Sequence, residues 1–146
     1  MLRRFRVVFN AVKSHFRAIE RKAEIGGAQL WALSVIASSP GLTVSDLARA
    51  MDIRQSTASN LVKGLIQREL VAPVRGEQDR RTTLLTIQPA GRSILRRAPG
   101  PFSGVLPDAL SRLDPQVLAR LDADLGRLIA ELEADPKAEQ TPLADL

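Results

Sequence analysis

The chain has 146 residues, 45% of them hydrophobic and 25% charged, which is enough for one compact domain with an oligomerisation element. It contains no cysteine and one histidine, His15. This composition excludes disulfides and thiol redox sensing, and it argues against zinc sites and most acid–base enzymes.

The net charge of +5 is unevenly distributed along the chain. Residues 1–100 carry 17 Lys/Arg and 7 Asp/Glu, whereas residues 101–146 carry 4 and 9. A basic body suits a polyanionic partner, although a solvated basic surface would show the same charge. The sequence has no apolar run long enough for a membrane span and no secretory signal at its start, so we expect a cytoplasmic protein without a membrane partner.

The first predicted element is a helix over residues 2–22 whose apolar residues are spaced alternately by three and four. Such a heptad seam needs a partner helix rather than open solvent. The seam consists of Leu2, Phe5, Phe9, Val12, Phe16 and Ile19.

Two shorter helices are predicted next. Residues 28–38 follow a Gly-Gly break and are apolar on most sides, which indicates a buried helix that ends at Ser39-Pro40-Gly41. Another helix begins at Thr43, whose side chain can cap it, and Asp46 in the first turn suits the positive helix terminus.

The fourth predicted helix, about Gln55–Glu69, has two contrasting faces. One face is apolar, and the other carries short polar groups and a lysine. Such polar groups hydrogen-bond base edges in a major groove, and lysine contacts phosphate. Together with the preceding helix and the turn at residues 52–54, this helix forms a predicted helix-turn-helix. The polar face is formed by Ser56, Ser59, Asn60, Lys63 and Gln67.

Two strands are predicted at residues 71–74 and 82–88, joined by a polar tip. The tip contains Arg75, Arg80 and Arg81, and a narrow minor groove attracts inserted arginines. Asp79 is placed to hold Arg81 by an ion pair. The alternative interpretation is a flexible charged turn.

The remaining chain predicts two more helical segments and a tail. A helix begins at Pro89 and is kinked or broken by Pro99-Gly100-Pro101. Asp114-Pro115 is a strong start signal for the last helix. Its heptad seam consists of Leu118, Leu121, Leu125, Leu128 and Leu132.

The two seams favour a twofold homodimer in which copies of residues 2–22 and 115–133 pair. The alternative is that both helices fold back on their own lobe. Residues beyond 135 are expected to form a flexible polar tail.

The chain resembles the MarR family of transcription regulators. The resemblance is carried by residues 40–48, by the run Gln55-Ser56-Thr57-Ala58-Ser59-Asn60-Leu61-Val62, and by Asp79-Arg80-Arg81 leading to residues 87–91. It covers about residues 5–133. It implies a winged-helix dimer on a pseudo-palindromic operator in double-stranded DNA, often released by a small-molecule effector.

The resemblance also implies roles for individual residues. Arg81 matches the wing-tip arginine of the family, and Asp79 the acid that positions it. Three features depart from the pattern: Arg54 replaces a capping Asp or Ser, Gly64 lies inside the recognition helix, and Pro99-Gly100-Pro101 interrupts a normally long helix. The matches to the family's recognition-helix contacts are Ser56, Thr57, Ser59, Asn60 and Lys63.

The predicted fold is mainly α with a small β-hairpin wing. We expect residues 1–24 to form a dimerisation helix, 25–98 the winged helix-turn-helix lobe, 99–135 further dimerisation helices and 136–146 the tail. The residues predicted to bind DNA are Gln55, Ser56, Thr57, Ser59, Asn60, Lys63, Arg75, Asp79, Arg80 and Arg81.

Three further expectations concern the effector pocket, the chief alternative function and catalysis. His15 and Trp31 are expected to border an effector pocket, unless they are an interface histidine and a core tryptophan. A winged-helix interaction module without operator specificity is the chief alternative to a regulator. An enzyme is not expected, because Asp122 and Asp124 indicate a solvated acidic face, and no catalytic residue, metal or cofactor is predicted.

Overall fold

A computed structural model of the protein describes residues 1–77 and 81–145. It is mainly helical with one antiparallel β-hairpin, which confirms the predicted fold class. The elements in chain order are α1 (Leu2–Ala23), α2 (Gly27–Ser38), α3 (Val44–Met51), α4 (Gln55–Gln67), β1 (Val71–Arg75), β2 (Thr83–Ile87), α5 (Pro89–Arg97), α6 (Val105–Ser111), α7 (Pro115–Glu131) and two 3-10 helices, η1 (Pro136–Gln140) and η2 (Leu143–Asp145).

The centre of the core is α2. Leu30 and Leu33 are completely buried, and the helix packs against α1, α3, α4, α5 and β2. A helix that is apolar all round is stable only when other elements surround it, which agrees with the predicted buried helix. Among the described residues no polar or charged side chain is buried. The core is therefore held by apolar packing, with α3 and α4 laid against one side of it.

The start of α3 is held by a reciprocal capping box. The Thr43 hydroxyl accepts a hydrogen bond from the Asp46 backbone N–H at 3.2 Å, and the Asp46 carboxylate accepts one from the Thr43 N–H at 2.9 Å. Both bonds satisfy amide groups that the helix leaves without partners. The backbone hydrogen bond from Thr43 is the main reason that the pKa of Asp46 lies below its usual range. The predicted cap is confirmed.

The hairpin pairs Val71 with Ile87 at its base and Arg75 with Thr83 at its outer end. Strand β1 is one residue longer than the prediction for residues 71–74, and β2 is one residue shorter at each end than the prediction for residues 82–88. The base is anchored to the core because Val71 and Leu85 are buried, while Gly76 N–H donates to the Thr82 carbonyl at 2.9 Å beyond the last strand pair. The hairpin is thus a short arm that extends from the core beside the helix-turn-helix.

The segment after the hairpin is divided as the sequence predicts. Helix α5 ends at Arg97, and the Pro99-Gly100-Pro101 turn separates it from α6. Asp114 then caps α7 by accepting a hydrogen bond from the Gln116 N–H at 2.8 Å. Local signals of this kind act through neighbouring residues, so they are readable before the fold is known.

The two heptad seams have different surroundings. In α1, Ile19 is fully buried and Phe16 packs against the core, whereas Leu2 and Phe9 are about 70% exposed. Every residue of α7 is exposed, and no other element of the described chain packs along it. The second half of the α1 seam therefore packs on its own lobe, whereas the first half and the α7 seam stay exposed. The pairing of residues 2–22 and 115–133 between two copies stays a prediction.

The chain beyond residue 135 differs from the predicted flexible polar tail. It forms η1 and η2, Pro142 is buried, and η2 packs against α1 and α2. The physical reason is the short apolar run Pro142-Leu143-Ala144, which packs at an apolar cleft of the fold. This run is too short to stand out in the sequence of a polar segment.

Candidate nucleic-acid interface

The packing of α4 against the core determines which of its faces is exposed. Ala58, Val62 and Leu65 are buried against the core, so the opposite side of the helix must face solvent. Helix α3 packs across α4, and the turn between them is closed by a hydrogen bond from the Ile53 N–H to the Ala48 carbonyl at 3.0 Å. Asp52 takes a left-handed conformation there (φ 53°). This arrangement is a helix-turn-helix with α4 as its second helix.

The solvent face of α4 carries most of the predicted contact residues. Gln55, Ser56, Asn60 and Lys63 are exposed, whereas Thr57 and Ser59 are only half exposed at its edges. The helix contains no acidic residue, so nothing on this face repels phosphate. A face of short polar groups with one lysine can enter a major groove, where such groups donate to and accept from base edges.

Gly64, which departs from the family pattern, has a packing explanation. A Cβ built at this position would lie 2.5 Å from Nε2 of Gln29 on α2. The glycine therefore lets a polar side chain of the core helix rest against α4. The cost to helix stability is about 1 kcal/mol relative to alanine, and the sequence alone offers no sign of what lies opposite.

The hairpin contributes a second group of cations. Arg75 and Arg81 are both exposed at its outer end. The predicted residues Asp79 and Arg80 lie outside the described residues, so the predicted ion pair between Asp79 and Arg81 stays a prediction. Strand β1 of this hairpin follows α4 in the chain and packs against it. A reading helix and a basic arm are the two parts of a winged helix-turn-helix.

Arg54 is a residue whose role the sequence did not suggest. It precedes the first residue of α4 and makes no side-chain cap. It is exposed, and its Nε donates a hydrogen bond to Oε1 of Gln140 at 3.0 Å. A guanidinium at a helix N-terminus lies where backbone amides already favour an anion. No local signal could have revealed its partner, which lies 86 residues away.

The two predicted pocket residues have separate surroundings. Trp31 is half-buried and lines a narrow cleft between α1, α2 and α6, with about 30 Å³ of open space left beside the C-terminal segment. His15 is not among the residues lining this cleft. Its Nε2 lies 3.0 Å from the Pro101 carbonyl, and its ring meets that of Phe16 edge-on at 5.6 Å.

A larger open groove of about 520 Å³ runs along the outer face of α1. Apolar side chains such as Val8, Phe9 and Val12 line it, together with the charged side chains of Lys13, Arg17 and Glu20. Among the described residues, no cluster of three His, Cys, Asp or Glu side chains could hold a metal ion. Within the same ranges, no helix is long and apolar enough to cross a membrane.

The helix-turn-helix, its exposed polar face and the adjacent basic hairpin define the winged helix-turn-helix class. A family model described as MarR family matches residues 24–82, the part of the chain that forms this motif. Over these residues the chain has the sequence pattern of the MarR family.

Comparisons with individual proteins agree with this classification. The chain is 36% identical over 102 residues to a putative transcriptional regulatory protein for the hcr operon of Thauera aromatica. The match covers 69% of this chain and 57% of that relative, so the chain spans little more than half of the relative's length.

Solved structures show the same fold at lower identity. The S. aureus MepR–DNA complex is similar with a TM-score of 0.62 and 21% identity, covering 88% of this chain and 93% of that one. YusO from Bacillus subtilis is similar with a TM-score of 0.58 and 20% identity, covering 86% and 89%. At these identities the likeness concerns the fold alone.

Proposed function

We propose that this protein is a sequence-specific, DNA-binding transcription regulator that acts in the cytoplasm and is not an enzyme. The observation that carries the proposal is the exposed face of α4, which has no acidic residue, on a helix that packs against strand β1 of the hairpin with the exposed cations Arg75 and Arg81. In this proposal α4 reads the major groove, and Arg81 enters the flanking minor groove. The name of the Thauera aromatica relative and the DNA-bound state of MepR support it.

We propose further that the protein binds a pseudo-palindromic operator as a homodimer. The support is the leucine seam of α7, where Leu118, Leu121, Leu125 and Leu128 are each close to 38% exposed. A row of leucines along a helix without a partner is unfavourable in water. The exposed first half of α1 offers a second apolar surface. Two copies would cover both surfaces and place two α4 helices on successive half-sites.

Release by a small-molecule effector belongs to the same proposal. The groove along α1 is lined by apolar side chains and by two cations and one carboxylate, Lys13, Arg17 and Glu20, and this net positive lining suits a small amphipathic anion. Phe16 lines this groove, shares the neighbouring cleft with Trp31 and contacts the ring of His15. A ligand seated there would contact α1, which also carries part of the proposed dimer surface.

The decisive experiment is selection of preferred sites from random duplex DNA, followed by footprinting and salt titrations. If the protein is a regulator, the selection enriches an inverted repeat, and the protein binds this repeat more tightly than a scrambled duplex at every salt concentration. The alternative, a winged-helix interaction module, enriches nothing, and its binding to both duplexes falls with salt along the same slope. If the selection enriches no sequence and the salt dependence of affinity is the same for both duplexes, the protein does not recognise an operator.

A further inference from the structure

We infer that residues 142–144 form a displaceable plug, which fills the cleft beside Trp31 and separates it from the groove along α1. A small amphipathic anion that displaces the plug would occupy the cleft and the groove together. The inference rests on the proposed function, because it concerns the effector site described there. It adds that a segment of the protein's own chain competes with the effector for part of that site.

The first support is that the segment lines two cavities at once. Leu143 and Ala144 line the cleft of Trp31, and the same two residues line the groove along α1. Phe16 also lines both. The cleft and the groove are therefore adjacent, and removal of the segment would open one into the other.

The second support is the close fit of the segment. Pro142 is buried, and η2, which begins at the next residue, packs against α1 and α2. A Cβ at Gly27, at the start of α2, would lie 3.0 Å from Cβ of Ala144. The absence of a side chain there lets the segment approach the helix. The apolar surfaces that it removes from water hold it in place.

The third support is that few contacts oppose its release. Leu143 is 40% exposed and Ala144 is half-buried, and no side chain of residues 142–144 has a polar group. The hydrogen bond from the Asp145 N–H to the Pro142 carbonyl, at 2.9 Å, lies within the segment's own turn. Burial raises the pKa of the Asp145 carboxyl group, so the docked position disfavours its charged form.

The lining of the two cavities defines the ligand. Trp31 and Phe102 supply aromatic rings in the cleft, and Lys13 and Arg17 outnumber the single carboxylate of Glu20 in the groove. With the plug in place, the cleft has about 30 Å³ of open space, which holds water but no aromatic ring. A ligand with a ring and an acidic group would therefore need the plug to leave before its ring is buried.

Plug docking and ligand binding are linked because they require the same space. The plug is tethered beside its cleft, so its effective concentration there is high although its contacts are few. If the cleft is open for about one tenth to one third of the time, the apparent Kd of the ligand is about three- to tenfold higher than for a permanently open cleft.

Two substitutions in the whole chain should undock the plug. Ala144→Gln places a bulky polar side chain against α2, and Leu143→Ser removes apolar contact at a partly exposed position. Ala138→Gln is the matched control, because it makes the first change at an exposed position of η1. Neutral side chains are chosen because a new carboxylate would itself repel an anionic ligand.

Two fluorescent probes are titrated into each variant. The aromatic anion is 8-anilinonaphthalene-1-sulfonate, and N-phenyl-1-naphthylamine has the same rings without the sulfonate. Trp31 is the only tryptophan, so energy transfer from it to a probe reports binding near the cleft. Urea unfolding, followed without a probe, reports whether each variant keeps a cooperative fold.

The plug predicts that both probes bind Ala144→Gln and Leu143→Ser about three- to tenfold more tightly than they bind the parent or Ala138→Gln. Energy transfer from Trp31 should accompany this binding, and unfolding should stay cooperative. Adding Arg17→Gln to Ala144→Gln should weaken binding of the sulfonate and leave the affinity for the neutral probe unchanged.

Equal probe affinities in the parent and both undocking variants would overturn the plug, as would tighter binding without energy transfer from Trp31. Loss of cooperative unfolding in both variants would also overturn it, because the segment would then be an integral part of the core. If the probes respond as expected but do not release a bound DNA duplex, the plug stands and the effector part of the proposed function fails.

Discussion

At the scale of single residues, the interface combines groups with different tasks. Asn60 presents an amide that both donates and accepts on the exposed face of α4, which is the chemistry needed to recognise one base edge. Arg81 presents a charge on the hairpin, and charge is attracted by every phosphate and every narrow groove. Substitutions at the two positions should therefore impair DNA binding in different ways, one through specificity and the other through affinity for all duplexes.

We expect Asn60→Ala to lose specificity. Removing a bidentate amide should cost about 1–3 kcal/mol on the best operator and relax the preference at one position in each half-site. The measurement is affinity for the selected operator, for operators changed at single positions and for a scrambled duplex. Equal losses on the operator and the scrambled duplex would mean that Asn60 does not read a base.

We expect Arg81→Ala to weaken binding to all duplexes alike. Loss of one cation should reduce the slope of affinity against salt concentration by about one counterion. Arg127→Ala is the matched control, because it removes the same charge from the exposed surface of α7. If affinity and slope are unchanged on both operator and scrambled DNA, the hairpin is not a wing.

At the scale of elements, α4 is less stable than it could be. Gly64 faces only the end of the flexible Gln29 side chain, which can move aside at little cost. We expect Gly64→Ala to stabilise the fold by about 0.5–1 kcal/mol through helix propensity, measured by urea unfolding. A loss of stability instead would show that Gln29 is held in place. Gly91→Ala is the contrasting variant, since its Cβ would lie 2.5 Å from the Leu70 backbone carbonyl oxygen.

The start of α3 should make stability depend on pH. The hydrogen bonds from Thr43 favour the charged form of Asp46 and hold its pKa below the usual range. Its contribution to folding is therefore complete above the ordinary pKa of an unfolded aspartate and is lost as the pH falls through the lowered folded value. Asp46→Asn should be less stable than the parent at neutral pH, and the difference should shrink in acid. A difference that is constant with pH would contradict this role.

At the scale of the whole molecule, no other element of the described residues packs along α7. We expect Leu125→Asp to weaken dimerisation strongly, because a charge in the middle of a leucine seam would have to be buried. Operator affinity should fall with it, since half-site geometry needs both lobes. Light scattering and operator titrations measure the two effects. Asp122→Lys on the polar side of the same helix is the control, and a stable monomer of the unchanged chain would overturn the proposed dimer.

The elements were largely predictable from the sequence because the signals that define them act over a few residues. Thr43 and Asp46 cap α3 from three positions apart, Asp114-Pro115 starts α7, and the apolar surface of α2 allows only a buried helix. The face of α4 was predictable for the same reason, since helical spacing alone separates Asn60 from Val62.

Only the tertiary structure decided which of these surfaces meet. The spacing that makes a seam in α1 is the same at Phe9 and Ile19, yet one is exposed and the other is buried. The contact of Arg54 with Gln140, the approach of Gln29 to Gly64 and the docking of Pro142 join positions far apart in the chain. Periodicity specifies which side of an element is apolar, but the partner of that side depends on how all the elements pack together, because burial is a property of the whole fold.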